Sequence, residues 1–320
     1  MKQLISEIGE RGLIRRLRKI FPQLSFIGDD SAVLSEIRCP VVTTDSFFEG
    51  THFYRWWAPP RILGRRLLEA ALSDIAAMGA RARWVFAALA LDPGMKINWI
   101  EDFYRGLTER DDIIIAGGET VRGERMGITL TIIGEGEEPE TLLRRYSLLP
   151  GDNLWVSGLI GRALDAPLLL EEIGGFEGDD LNPRRKIISD AELVQLRDFL
   201  QPRAELELGI ELRQLGVRCA IDISDGLISE AEHLSRESGV NAILDISESM
   251  FYDSVKERPL AASAAGEDFS LLFGAADGLD FSSKGCFLVG RAESGKGEVS
   301  VFLDGDKANI SSTGYDHMEV

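Results

Sequence analysis

The chain has 320 residues, 44% of them hydrophobic. That is enough for about two domains with sizeable cores, and it excludes wholesale disorder. Lys and Arg number 35 against 53 Asp and Glu, a formal net charge of −18, so general attraction to nucleic acid or anionic membranes is excluded and phosphate ligands need something positive in between.

Residues 3–20 carry apolar side chains at helical spacing and read as one or two helices. Residues 39–44 (CPVVTT) are β-branched and read as a strand that ends in Asp45. Pro59 and Pro60 open a helix from about 60 to 78, closed by Gly79. Strands are expected at 82–91, 113–116 (running into Gly117 and Gly118) and 128–134, with a helix at 97–110. The polar run EGEEPE (135–140) breaks the pattern, so the domains are expected at 1–140 and 141–320.

The second half opens with a strand at 153–157 and a helix from Gly161. Residues 171–180 hold five acids and no base and read as a surface loop. Helices are expected at 189–199, 203–215 and 225–238. Strands are expected at 219–223, 240–246, 269–273, 286–291 and 298–303. Without a strict βαβ period, the pattern favours an α/β chain of the α+β type over a doubly wound sheet.

Cys39, Cys219 and Cys286 are scattered without CxxC spacing. Zinc and a disulfide framework are not expected, and a reducing cytoplasm is. The N-terminal segment mixes charges and does not read as a signal peptide. The longest apolar run, Trp84 to Leu91, is too short to span a bilayer.

Common nucleotide motifs are absent: there is no P-loop, no GxGxxG after a strand and no protein-kinase signature. His52, His233 and His317 are too dispersed for a local histidine metal site. What stands out is acids beside small residues at six places: Gly28-Asp29-Asp30-Ser31, Thr43-Thr44-Asp45-Ser46, Leu72-Ser73-Asp74, Gly117-Gly118-Glu119-Thr120, Asp222-Ile223-Ser224-Asp225-Gly226 and Ala265-Gly266-Glu267-Asp268. Magnesium favours such hard oxygen donors, taking one or two carboxylates with waters and substrate phosphates. Adjacent glycines let backbone N–H groups approach a phosphate. Each place also has a plain structural reading. GDD can be a turn, GG-Glu119 a tight turn, Ser224 and Asp225 helix caps, Arg144-Arg145 a solvated pair and His52 a structural residue.

In order, the motifs resemble the thiamine-monophosphate kinase family of the aminoimidazole-ribonucleotide synthetase superfamily. They are GDDSAVL (28–34), TTDSFFEGTHF (43–53), LSDIAAMGA (72–80), GGETVRG (117–123), LLPGDNLWVSGLIG (148–161), IDISDGL (221–227), AGEDFSLLF (265–273) and GYDH (314–317). The resemblance implies transfer of a phosphoryl group from ATP to thiamine monophosphate, with several Mg²⁺ ions. It places Asp30, Thr43, Thr44, Asp45, Asp74, Glu119, Asp222 and Asp225 at metal positions, with Asp45, Asp74 and Asp222 central to catalysis. It places Tyr104, Gly117, Gly118, Glu119, Arg145 and Ser224 near ATP. His52 and Glu267 match acceptor-side positions, and Tyr315 is the nearest ring to the family's substrate-stacking position. It also implies two α/β domains, the N-terminal one holding ATP and metal and pairing its sheet with that of a second subunit in a homodimer.

This chain departs from the family pattern in several places. Glu119 stands for an Asp, Ala265 for a Gly and Ser270 for a Glu. Tyr146 and Ser147 stand where a Ser-Gly pair is usual, and Ser312 and Thr313 where an aromatic residue is common. A cyclo-ligase of the same superfamily and a non-catalytic nucleotide-binding scaffold remain the alternative readings.

Overall fold

The computed structural model describes residues 3–24, 31–34, 37–310 and 314. The chain forms two compact units. One comprises Met1–Ile75, Arg81–Gly136 and Leu170–Ile187; the other comprises Ala76–Ala80, Glu137–Leu169 and Ile188–Val320. Among the described residues no helix is long and apolar enough to cross a membrane.

The first unit runs α1 (Ile5–Ile20), β1 (Pro40–Phe48), α2 (Pro60–Ala77), β2 (Arg81–Leu91), α3 (Ile97–Leu107), β3 (Ile114–Arg122) and β4 (Gly127–Glu135). Gly9, at φ 63°, breaks α1 near its start, so the two sequence readings of this segment merge into one kinked span. The strands form a sheet in the order β1-β4-β2-β3. β2 and β3 pair in parallel, and the other neighbours are antiparallel. This mixed pairing is the α+β layout.

Alternation along β1 decides what each face of the sheet carries. Val41, Thr43, Asp45 and Phe47 are buried or half-buried, whereas Val42, Thr44, Ser46 and Phe48 are exposed. The inner face packs on α2, whose Leu63, Leu67, Leu68, Ala71, Leu72 and Ile75 repeat at helical spacing and are fully buried. Burying each of these leucines contributes about 1.5–3 kcal/mol. α2 and α3 cross closely because both are glycine at the contact. A Cβ on Gly64 would lie 2.1 Å from the Phe103 carbonyl oxygen, and one on Gly106 would lie 2.0 Å from that of Arg61.

The chain continues through β5 (Asn153–Ser157), α4 (Ala166–Ile173), β6 (Phe176–Glu177), β7 (Asn182–Pro183), α5 (Asp190–Leu200), α6 (Leu206–Gln214), β8 (Cys219–Asp222), α7 (Leu227–Ser238), β9 (Val240–Ile246), α8 (Pro259–Ser263), β10 (Leu271–Ala275), β11 (Cys286–Ser294), β12 (Val299–Leu303) and β13 (Asp306–Lys307). Seven of these strands form a sheet in the order β13-β12-β9-β11-β5-β10-β8. Its core joins Leu154, Val156, Ile221, Leu244 and Leu272 to Leu227, Ile228, Ala231 and Leu234 of α7.

Two local expectations change. The helix expected from Gly161 begins at Ala166, because Gly161 takes φ 91° in a turn. The acidic segment 171–180 is more than a surface loop. Its five acids are exposed, but Ile173 and Phe176 are fully buried and β6 pairs with β7. The acids mask an apolar anchor.

Candidate active site

In the first unit, the inner face of β1 gathers a set of hard oxygen donors. The Thr43 hydroxyl donates to Asp74 Oδ2 on α2. Asp45 follows two residues on and points to the same side. Asp74 is half-buried between the fully buried Leu72 and Ile75 of α2. Asp45 does not end its strand as expected, because β1 runs on to Phe48 and leaves the carboxylate inside it. Next on this face, Phe47 meets the His52 ring edge-on at 5.8 Å. His52 Nδ1 accepts from the Phe48 N–H at 3.0 Å. In the neutral ring that bond puts the proton on Nε2, which is then a donor.

The structure does not bring every expected ligand into this set. Thr44 faces the opposite side, where its hydroxyl meets that of Thr131 at 3.0 Å. Glu119 is not at a turn, since β3 continues through it to Arg122. It is exposed and sits in the row Ser46–Thr129–Ala88–Glu119, while Asp45 sits in the row Asp45–Leu130–Ala87–Gly118. Glu119 and Asp45 therefore lie on opposite faces and on opposite edge strands. Gly118 is required there: with φ 152°, a Cβ would fall 1.9 Å from the Ala87 carbonyl oxygen. Tyr104 lies in the core, 6% exposed, with its ring stacked on Phe21, and burial pushes its hydroxyl upward. Asp30 and Tyr315 lie outside the described residues. Among the described residues no three His, Cys, Asp or Glu side chains form a ready-made metal cluster. Thr43, Asp45 and Asp74 do fit the carboxylate-poor, water-rich and phosphate-rich shell magnesium takes.

In the second unit, Asp222 ends the edge strand β8, 3% exposed, and Arg145 Nη2 lies 4.0 Å from its Oδ1. The pairing of β8 with β10 continues past both strands. Ile223 donates to Ser270 O at 2.7 Å, Phe269 to Ile223 O at 2.8 Å and Glu267 to Ser224 O at 2.7 Å. Segments 223–226 and 264–269 are thereby held together, which groups Asp222, Ser224, Asp225, Arg145 and Glu267.

Sequence reasoning missed two buried carboxyls here. Glu230 of α7 accepts from the Asp225 N–H at 3.2 Å and the Ser224 hydroxyl at 3.4 Å. Burial, with the nearby Asp222 charge, pushes it up to about 8. Its signal was an acid inside the apolar stripe Leu227, Ile228, Ala231 and Leu234. Asp268 accepts from the N–H groups of Gly161 and Arg162 at 2.9 and 3.0 Å, and burial pushes it up to about 7. It stood in the AGED motif, where only Glu267 was given a role. Neither buried cysteine is a nucleophile, since burial pushes the Cys219 thiol to about 12 and Cys286 to about 11.

A mixed four-stranded sheet with oxygen donors on its inner face defines a class of protein. Residues 28–136 match the family described as AIR synthase related protein, N-terminal domain. At full length, the thiamine-monophosphate kinase of Haemophilus influenzae is 34% identical over 321 residues, covering 93% of this chain and 92% of that one. The solved structure of AaThiL complexed with AMPPCP and TMP superposes with a TM-score of 0.75 at 26% identity, covering 99% of each chain. The thiamine-monophosphate kinase of Stenotrophomonas maltophilia K279a gives 0.74 at 31%, covering 94% of this chain and 98% of that one. The chain belongs to the thiamine-monophosphate kinase family.

Proposed function

We propose that this chain transfers the terminal phosphoryl group of ATP to thiamine monophosphate, giving thiamine diphosphate and ADP. The observation that carries the reading is the Thr43, Asp45 and Asp74 oxygen set on the inner face of β1, in a chain of this family. The acceptor atom is a phosphate oxygen, already ionised at neutral pH, so no strong general base is needed. That fits two buried cysteines whose thiols burial pushes up. The obstacle is repulsion between two polyanions, and the chain's own residues address it.

Asp45 and Asp74, with Thr43 and Asp30, would hold magnesium, as would Asp222 and Asp225 in the second unit; bound Mg²⁺ supplies charge neutralisation and an in-line alignment of oxygens. The Thr43 hydroxyl fixes the orientation of Asp74. Arg145, beside Asp222, offsets charge on the nucleotide phosphates. His52 donates from Nε2 to the acceptor phosphate, because its Nδ1 is already occupied. Glu267 orients the acceptor, and the Ser224 hydroxyl serves the nucleotide.

The open face of the first unit's sheet supports a homodimer. Val42, Phe48 and Val121 on it are 61%, 54% and 52% exposed, and among the described residues β1 and β3 are the edges of the sheet. Within one chain Glu119 is three strand spacings from the β1 edge, about 14 Å. A second copy pairing its β3 beside β1 would bring its Glu119 to the edge that carries Asp45. Three scattered free thiols fit a reducing cytoplasm.

The test is a coupled ADP assay with thiamine monophosphate, thiamine and an aminoimidazole precursor as rival acceptors. Thiamine diphosphate formed one-for-one with ADP is expected. ADP with free phosphate and no thiamine diphosphate refutes the reading in favour of a cyclo-ligase, and nucleotide binding without turnover on any acceptor refutes it in favour of a scaffold.

A further inference from the structure

We propose that Asp268 is a positioning residue for the acceptor: it pins segment 264–269 to the turn at Gly161–Leu164 and so fixes the direction in which Glu267 is presented. This rests on the reading above, in which Glu267 meets thiamine monophosphate.

The backbone gives the first observation. Glu267 and Phe269 have φ of 49° and 50°, on either side of Asp268. Two non-glycine residues in the left-handed region within three positions persist only where surrounding contacts over-determine them. Outside Asp268 those contacts include the Glu267 and Phe269 N–H bonds to the carbonyls of Ser224 and Ile223.

The side chain gives the second. Asp268 is 1% exposed and turns inward between half-buried Glu267 and buried Phe269. Its Oδ1 takes the N–H groups of Gly161 and Arg162 and lies 3.6 Å from Arg162 Nε. Oδ1 is committed to these donors, Oδ2 is buried without a hydrogen-bond partner, and at 1% exposure the carboxyl is not placed to touch a ligand itself.

The turn it grips is itself held from the other side. Gln195 of α5, fully buried, donates to the carbonyls of Gly161, Arg162 and Leu164 at 3.3, 3.1 and 2.7 Å. Its own Oε1 accepts from the Ser254 hydroxyl at 2.7 Å. The chain Ser254, Gln195, turn 161–164, Asp268 is a continuous polar support that ends one residue from Glu267. Asp268→Asn keeps the shape but removes the charge that Arg162 faces, and its amide N–H₂ opposes donors if it turns toward them.

The experiment is steady-state kinetics on the full chain with magnesium, varying ATP and thiamine monophosphate separately. Asp268→Asn is expected to raise KM for thiamine monophosphate about tenfold and lower kcat, with KM for ATP within about twofold of wild type. Glu267→Gln does the same, and the double variant is no worse than Glu267→Gln alone, since the two residues act through one contact. Arg162→Gln repeats the effect more weakly and decides the matter where Asp268→Asn fails to fold. Equal damage to both KM values, or losses that multiply in the double variant, overturns the proposal. A wild-type chain with no turnover on thiamine monophosphate overturns it together with the functional reading, a result distinct from active wild type with multiplying losses.

Discussion

Asp74→Asn tests the site most directly. Asp74 is held by the Thr43 hydroxyl on the inner face of β1, so its carboxylate has a fixed direction before any ligand arrives. A unit charge about 4 Å from a cation, in the effective dielectric of about 20 suited to a protein site, contributes about 4 kcal/mol. Every 1.36 kcal/mol is about a factor of ten in rate, which makes the loss about a thousandfold. Water moving into the ligand position recovers some of this and the second cation charge adds to it, so about 10² to 10⁴ in kcat is expected. Stability should change little. Asn retains an oxygen for the Thr43 hydroxyl, and only the charge-assisted part of that bond, about 1 kcal/mol, is lost. The assay is coupled ADP release at saturating magnesium, with a urea midpoint on the same preparation. Turnover within about threefold of wild type for both Asp74→Asn and Asp45→Asn would refute the assignment of this face as the metal-holding one.

Three further predictions follow from other parts of the molecule. Nucleotide binding should disappear in excess chelator and return with Mg²⁺, since the site offers mainly carboxylates to a polyanion; tight ATP binding without divalent cation contradicts this in a calorimeter. Phe48→Glu should leave a folded monomer in sedimentation, by placing a charge on the open sheet face, and a dimer that survives the change points to another interface. Glu230 is pushed from its usual 4.5 up to about 8 by burial and the Asp222 charge, so the folded chain holds a proton that the unfolded chain releases between those pH values. The stability this neutral carboxyl contributes is complete below about pH 4.5 and is lost as pH rises through about 8. In metal-free protein, Glu230→Gln should therefore flatten the fall in melting temperature between pH 5 and 8, and an unchanged slope argues against the buried neutral carboxyl.

Most elements were legible because their signals are local. The period of Leu63, Leu67, Leu68, Ala71 and Leu72 with prolines ahead gives α2, and the β-branched run before Asp45 gives most of β1. Strand ends were less legible where a polar residue sits on a pairing strand. In sequence Asp45 reads as a strand end and Glu119 as part of a tight turn, but ladder bonds to β4 and β2 carry the backbone past them. Which face each acid takes depends on sheet register, a long-range property. That is why Thr43 and Thr44, adjacent in one motif, part to opposite sides of the sheet. Gly161 reads as a helix start and is a turn because Gln195 and Asp268, 34 and 107 residues away, bind its carbonyl and N–H.

The acidity that calls for something positive between the chain and a phosphate ligand divides by burial. The five acids at 171–180 are exposed, repel little through water and serve solubility. Asp222, Glu230 and Asp268 are 3%, 3% and 1% exposed, and three buried charges beside a polyanion would oppose it strongly. The structure limits that conflict. Glu230 and Asp268 are shifted toward neutrality, and each commits one oxygen to local donors, Glu230 Oε1 to the Asp225 N–H and Ser224 hydroxyl and Asp268 Oδ1 to the Gly161 and Arg162 N–H groups, while Asp222 has Arg145 at 4.0 Å. The formal −18 therefore overstates the charge a ligand meets, because Glu230 is counted in it and burial shifts it toward its neutral form. The carboxyls that shape the second unit's loops do so largely as hydrogen-bond acceptors, which leaves Asp222, Asp225 and the β1 set as the charges available to cations. On the proposed reading an acidic chain can gather two phosphorylated ligands, because the acids that build its loops and the acids that would face the ligands' counter-ions are different residues.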